Sequence, residues 1–178
     1  MRTAPRAFAG ARPGQAMIET VIAVLFITFL FLAAFQVTQL MEARILADHA
    51  AARAARAKAV GFNDFMCLKS ARVAVIPMAG HRLWPEEGAY SEAARIPAYL
   101  ESENEAMARG ILEYERWRTM GFDVDSGSGL SPTAEARVSL DVPRQWAGDA
   151  DDEENVIPIA GRAEIESHFP YYMNDEGL

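Results

Sequence analysis

One carboxylate lies at the edge of a long apolar segment. Glu19 is followed by a stretch, Thr20 to Met41, that contains no charged residue. An unpaired charge costs about 2.5–3.5 kcal/mol at the middle of a bilayer and less near its surface. Glu19 therefore needs either a compensating cation or a position at the membrane interface. Gly14 lies five residues before it, after a stretch whose only charges are arginines.

The sequence shows no catalytic grouping. It contains no Gly-rich phosphate loop, Cys-x-x-Cys, His-Glu-x-x-His or Gly-x-Ser-x-Gly motif. Its three histidines, His49, His81 and His168, share no metal-ligand spacing. We therefore expect a protein that is not an enzyme and that binds no cofactor or metal.

The acidic composition of the chain limits the kinds of partner that it can bind. The formal net charge of -8 and pI near 4.9 disfavour a phosphate backbone as ligand, so no nucleic acid is expected. Two acidic stretches, 123–127 and 149–155, lack the glycine and the twelfth-position glutamate of an EF-hand, so we interpret both as solvated loops. Cys67 is the single cysteine, which rules out an intramolecular disulfide, and we interpret it as a small buried hydrophobe.

The apolar segment predicts a membrane anchor. Its centre, Val21 to Phe35, and its flanks exceed the roughly 18–20 apolar residues that cross a bilayer as a helix. No small-x-small cleavage site follows it, so the anchor should be retained. The arginines upstream, Arg2, Arg6 and Arg12, favour a cytoplasmic N-terminus by the positive-inside rule. The expected topology is single-pass, with the C-terminal part outside the cytoplasm.

The same residues resemble a known processing site. Gly14-Gln15-Ala16-Met17-Ile18-Glu19 after a short basic leader is similar to the type IV prepilin pattern of glycine, four residues, glutamate and apolar helix. Farther on, Met41-Glu-Ala-Arg44 and Ala51-Ala-Arg53-Ala-Ala-Arg56 resemble the TadE-like minor pseudopilins of tight-adherence (Flp) pilus systems. The resemblance covers about residues 14–61.

This resemblance implies specific roles. A prepilin peptidase would cut after Gly14, and the new ammonium on Gln15 would pair with Glu19 in an assembly of pilin or pseudopilin subunits. The C-terminal domain would be periplasmic on the bacterial inner membrane, or at the cell surface if assembled. Gln15 replaces the aromatic first residue of classical pilins, and the chain is longer than the major pilins of tight-adherence systems. A minor subunit is therefore the better match.

Small residues follow the anchor at helical spacing. Ala43, Ala47, Ala50, Ala54 and Ala57 recur every three or four residues and define an alanine seam. Small side chains permit close approach of another backbone, either a neighbouring helix or the protein's own sheet. The helix that carries the seam should end at Gly61, a favoured C-terminal stop.

The remaining periodicities predict an α+β fold. We expect a short strand at Arg72–Ile76, a second helix from Pro97 to Gly121, and a Gly/Ser linker from Asp123 to Pro132. The second helix should bury Leu100, Met107, Ile111 and Tyr114. Two antiparallel strands should follow, one with Ala136, Val138, Leu140 and Val142 on its dry face, the other with Ala163, Ile165, Ser167 and Phe169.

These elements predict a pilin-like lollipop, in which a long N-terminal transmembrane and stalk helix packs on a small antiparallel sheet with a second helix. The expected divisions are a cleaved leader (1–14), a transmembrane and stalk helix (15–62) and an extracytoplasmic α+β domain (63–178). Two functions fit: a minor pilin or pseudopilin that is processed by prepilin peptidase, and a non-polymerising single-pass membrane protein with a ligand- or partner-binding outer domain. If the protein has the second function, Glu19 is an ordinary residue at the membrane interface.

Processing after Gly14 can be measured directly. Protein isolated from its native membrane should begin at Gln15, and loss of Arg2, Arg6 and Arg12 should change its formal net charge from -8 to -11. Intact-mass and N-terminal analysis check this. A mature chain that begins at Met1, or beyond Phe35, would contradict the pilin interpretation.

Overall fold

The computed structural model describes residues 13–85, 92–126, 133–144 and 156–166. The chain divides into two compact units, Met1–Thr38 and Gln39–Leu178, called here the N-terminal segment and the C-terminal domain. The class is mixed α+β, as predicted, with one long apolar helix, shorter helices and small antiparallel sheets.

The first helix, α1 (Pro13–Ala59), has 47 residues and ends where the sequence predicts. Gly61 has φ +97°, a left-handed conformation that glycine adopts without steric cost. The Gly61 amide donates to the Lys58 carbonyl at 2.9 Å, and the Phe62 amide donates to the Ala57 carbonyl at 3.1 Å. This is a Schellman motif, which satisfies carbonyls that the end of a helix leaves without partners.

In the described ranges three shorter helices follow, and two of them start at asparagine caps. The helix α2 (Asp64–Ala74) begins where the Asn63 side chain accepts from the Met66 amide, and a 3₁₀ turn, Ile76–Met78, comes after it. The other two are α3 (Glu92–Glu101) and α4 (Glu105–Ile111), and the Asn104 side chain caps α4 through the Met107 amide. Such caps satisfy free amides of the first turn.

The strands within the described residues form two antiparallel sheets. A small one pairs β1 (Arg82–Trp84) with β2 (Glu113–Tyr114), and a 3₁₀ turn, Glu115–Trp117, follows β2. The larger one has the order β3 (Gly121–Ser126), β4 (Thr133–Pro143), β5 (Val156–Glu166). In the central strand Ala134, Ala136, Val138, Leu140 and Val142 are buried, and the residues between them are not. The predicted alternation of β4 is therefore confirmed.

In β5 the predicted dry-face residues Ala163 and Ile165 are partly buried against the core, opposite Ala136 and Ala134. Ser167, His168 and Phe169 lie outside the described residues. The core of the C-terminal domain joins the β4 face to residues 47–55 of α1, to Cys67 and Ala71 of α2, and to Tyr99 of α3.

The strand predicted at Arg72–Ile76 is wrong. Arg72 to Ala74 complete α2, and Ile76 opens the 3₁₀ turn. The alternating pattern was misleading because burial in this stretch follows helical spacing, with Cys67, Ala71 and Ala74 on the buried side. Gly61-Phe-Asn-Asp64 ends one helix and also begins the next through the Asn63 cap.

The predicted helix from Pro97 to Gly121 is also wrong in extent. Pro97 lies inside α3, and the chain leaves helical structure at Leu112, before β2. Of the four predicted inner residues, Tyr114 is buried on β2 and Met107 is 53% exposed. The predicted linker is wrong for Asp123–Ser126, which form part of β3, and residues 127–132 lie outside the described ranges.

A lysine ties α2 to the end of α3. Lys69 is fully buried, and its ammonium donates to the Leu100 and Ser102 carbonyls, both at 2.6 Å. It also lies 4.7 Å from the centre of the Phe65 ring. These carbonyls are at the C-terminal end of α3, where the helix itself leaves them without donors. Burial lowers the pKa of Lys69 from its usual value.

Replacement of this lysine should be destabilising and pH-dependent. Lys69→Met removes a charged donor from two carbonyls, and each such hydrogen bond contributes about 1.5–3 kcal/mol. Because the folded-state pKa is the lower one, the unfolded chain binds more protons between that value and about 10.5, so this group makes wild-type stability rise with pH there. Chemical unfolding at a series of pH values should show a gap between wild type and variant that widens above neutrality. A narrowing gap would mean that the carbonyls raise this pKa more than burial lowers it.

Candidate functional site

The N-terminal segment presents an apolar surface that stays exposed among the residues that the structure describes. From Met17 to Phe35 its large apolar side chains are 41–73% exposed. The helix over Gly14–Ala59 contains an 18-residue window of mean hydropathy 2.5, none of it buried. It is long and apolar enough to cross a membrane, so the chain is compatible with a membrane location.

The helix satisfies its own hydroxyl groups in this region. Thr20, Thr28 and Thr38 each donate to the carbonyl four residues earlier, at distances of 2.8, 2.9 and 3.1 Å. A hydroxyl bonded within its own helix has less need of water, so these threonines fit an apolar environment.

The predicted processing and assembly residues lie together at the start of this helix. Gly14, Gln15 and Glu19 are all exposed, and a Cβ placed on Gly14 would meet no atom within 4 Å. Among the described residues, no basic group lies within ion-pair distance of the Glu19 carboxylate. The start of α1 therefore leaves Gly14, Gln15 and the Glu19 carboxylate exposed. Their roles in cleavage and assembly stay predictions.

The alanine seam lies inside the C-terminal domain. Ala43, Ala47, Ala50 and Ala54 have no exposed surface, and Ala57 is partly buried beside the core. The sequence left open whether the seam would meet another helix or the protein's own sheet. It packs in the domain core with the inner face of β4. The same surface is therefore not available to a neighbouring subunit.

The backbones of α1 and β5 approach each other closely. A Cβ on Gly161 would overlap the Ala47 carbonyl and the Asp48 amide nitrogen. Polar contacts hold this crossing on either side: Arg44 donates to the Ala160 carbonyl, and the Asp48 carboxylate accepts from the Arg162 amide at 3.3 Å. Arg44 and Asp48 also form an ion pair at 3.1 Å.

Sequence reasoning missed part of this contact. Ala51 and Ala55 are as buried as the alanine seam and form a second row beside it. The Ala-Ala-Arg repeats of the sequence could have predicted this second row. Gly161 also went unnoticed, although a glycine inside an alternating strand often marks a close backbone approach.

The other polar candidates do not converge. Asp123 and Asp125 are exposed on β3, while residues 149–155, Trp146, His168 and Tyr171-Tyr172 fall outside the described ranges. In the described part of the chain no group of three or more His, Cys, Asp or Glu side chains could hold a metal ion. Cys67 is buried and free, and burial raises the pKa of its thiol against the opposing effect of Lys58, so the thiolate is disfavoured.

No family model, no curated protein and no solved structure matches the chain.

The crossing of α1 and β5 yields a matched pair of substitutions. Gly161→Ala should lower the free energy of unfolding by about 1–3 kcal/mol or more, because the new methyl group overlaps backbone atoms that cannot rotate away. Gly110→Ala is the control, since a Cβ there meets nothing within 4 Å and alanine is the better helix former. Thermal unfolding of the full chain in detergent compares them. Equal midpoints for Gly161→Ala and wild type would contradict this close packing.

Proposed function

We propose that the protein is a minor pilin or pseudopilin, a structural subunit of a type IV pilus-like (tight-adherence) assembly or secretion system. In this proposal α1 anchors it in the bacterial inner membrane, a prepilin peptidase cuts after Gly14, and the C-terminal domain lies in the periplasm, or at the cell surface once assembled. The role is structural and not catalytic. The observation that supports it is the exposed carboxylate of Glu19, without a partner among the described residues, five residues after Gly14 at the start of an exposed apolar helix.

The apolar surface needs a non-aqueous neighbour. Burial of apolar surface contributes about 25 cal/mol per Å², so side chains such as Phe26, Phe29 and Phe31, each more than 60% exposed, favour lipid or another apolar helix over water. A subunit that moves from a bilayer into a bundle of like helices keeps this surface covered in both places.

The proposed assembly contact is electrostatic. Cleavage creates an ammonium on Gln15, and Glu19 of a neighbouring subunit is its counter-ion. In an apolar surrounding an unpaired charge costs several kcal/mol, whereas a pair roughly breaks even. Pairing therefore selects the register in which the two charges meet. The alanine seam takes no part in this contact, because the domain core already covers it.

A second candidate function is a non-polymerising membrane protein whose outer domain binds a ligand. The observation that favours it is a cleft of about 690 Å³ in the C-terminal domain, lined by arginines, glutamates and aromatic rings. The two functions differ at the N-terminus: only the pilin function requires a mature chain that begins at Gln15.

Replacement of Glu19 tests the assembly contact. Glu19→Gln should leave membrane insertion unchanged or slightly improved, because it removes a costly charge. Assembly should fail, since the Gln15 ammonium loses its counter-charge. The measurement is the amount of protein in the sheared pilus or secretion-complex fraction, relative to its amount in the membrane.

Two variants serve as controls. Glu42→Gln removes another exposed carboxylate of α1 and should assemble normally. Ala50→Leu overpacks the core and should lower the thermal stability of the domain, an effect that Glu19→Gln should not have. Normal assembly of Glu19→Gln at wild-type membrane level would show that Glu19 is only an interfacial residue.

A further inference from the structure

The cleft in the C-terminal domain combines charge with an apolar lining. Leu68 and Arg72 of α2, Tyr99 of α3, Leu112, and Trp117 with Phe122 farther along the chain all contribute to it. Tyr99 and Trp117 are in ring contact, with centroids 5.1 Å apart, and both are almost fully buried. A volume of about 690 Å³ falls in the range of clefts that hold small organic ligands.

Three hydrogen-bond donors at this cleft lack an acceptor among the described residues: the Arg72 Nε, the Tyr99 hydroxyl and the Trp117 Nε1, all of them buried. A buried donor without a partner destabilises the folded chain, so three such donors at one cleft favour the binding of an acceptor there. Burial raises the pKa of Tyr99 against the opposing effect of the Arg72 guanidinium, so its hydroxyl keeps the proton and remains a donor.

The Arg72 guanidinium is poorly neutralised. Its side chain is 11% exposed, and its nearest carboxylate oxygen, on Glu105, is 3.7 Å away. That same oxygen lies 2.7 Å from Arg109, which is the closer partner. Glu113 is paired with Arg118 at 2.9 Å. Three arginines and two glutamates thus line the cleft, which leaves an excess of one positive charge.

We propose that this cleft binds a monoanionic carboxylate carried on an aromatic or aliphatic group, with Arg72 as the main anion-binding residue and Tyr99 and Trp117 as further donors. A guanidinium matches the planar geometry of a carboxylate. One excess charge accommodates one negative charge, and the two glutamates on the wall disfavour a dianionic phosphate. The carboxylate can belong to a free small molecule or to an acidic side chain within an apolar peptide. This binding does not depend on pilus assembly.

Calorimetric titration of the full chain in detergent micelles tests the site. The probes are phenylacetate and the peptide acetyl-Phe-Asp-Phe-amide, and their neutral counterparts are phenylacetamide and acetyl-Phe-Asn-Phe-amide. At least one carboxylate should bind with saturation and at least about tenfold more tightly than its amide, as a charged hydrogen bond requires. The tighter of the two carboxylates identifies whether the source is a small molecule or a polypeptide.

Two cleft variants and one control make the test specific. Arg72→Gln should weaken carboxylate binding at least about tenfold. Tyr99→Phe should weaken it less, because it removes one donor hydroxyl and keeps the buried ring that contacts Trp117. Arg137→Gln, at an exposed and ion-paired position on β4 outside the cleft lining, should bind like wild type.

Thermal unfolding verifies that each variant is folded. The proposal is overturned if neither carboxylate binds, if amides bind as well as carboxylates, or if folded Arg72→Gln and Tyr99→Phe both keep wild-type affinity.

Discussion

Close contact between an alanine-rich helix face and a sheet holds the C-terminal domain together. Two backbones can approach this closely only where no side chain larger than a methyl group stands between them. Ala47 on α1 and Gly161 on β5 meet that condition so tightly that even a Cβ on the glycine would overlap the helix backbone. The spacing between helix and strand therefore depends on the smallest residues in the contact, and larger groups fill the core around it.

Much of the remaining domain follows from this contact. The central strand β4 turns Ala134 and Ala136 towards the core together with larger aliphatic residues, and its other face carries ion pairs such as Glu135 with Arg137 and Arg162. Those arginines hold the pKa of the Glu135 carboxyl below its usual value. The helices α2 and α3 complete the core with Cys67, Ala71 and Tyr99, and Lys69 links them where the end of α3 needs donors. The buried apolar residues of α1 are all alanines, whereas the other elements also contribute larger side chains such as Tyr99 and Trp117.

The two parts of the chain make different use of apolar residues. In the domain, alanines of α1 and larger residues such as Tyr99 and Leu112 are buried together in one core. Between Met17 and Phe35 the apolar side chains are large and exposed, and the only polar groups able to form strong contacts there are Glu19 and threonines bonded to their own helix. A protein that exposes such a surface requires a membrane or a neighbouring helix to cover it. This physical requirement supports the proposed anchoring and assembly role, and the carboxylate at its edge supports a defined register.

The N-terminal segment exposes apolar side chains, whereas the cleft near Arg72 buries hydrogen-bond donors that have no partner among the described residues. Folding usually satisfies buried donors, so the three at this cleft are the basis of the proposal that it binds an acceptor. The donors come from α2, from α3 and from the turn after β2, which are separated in sequence. A recognition site of this kind is assembled by packing and is compatible with either proposed function.

The sequence by itself determined the features that depend on local pattern. The exposed apolar helix, its end at Gly61, the alanine seam and the alternation of β4 all follow from periodicity and from the conformational freedom of glycine, and each is visible in a window of a few residues. Only the tertiary structure decided which partner the seam meets, because both a helix and a sheet accept small residues. Tertiary packing also made Arg72–Ala74 helical, broke the predicted second helix at Leu112, and joined Arg72, Tyr99 and Trp117 in one cleft. These outcomes depend on contacts between residues far apart in the chain, which local propensity does not encode.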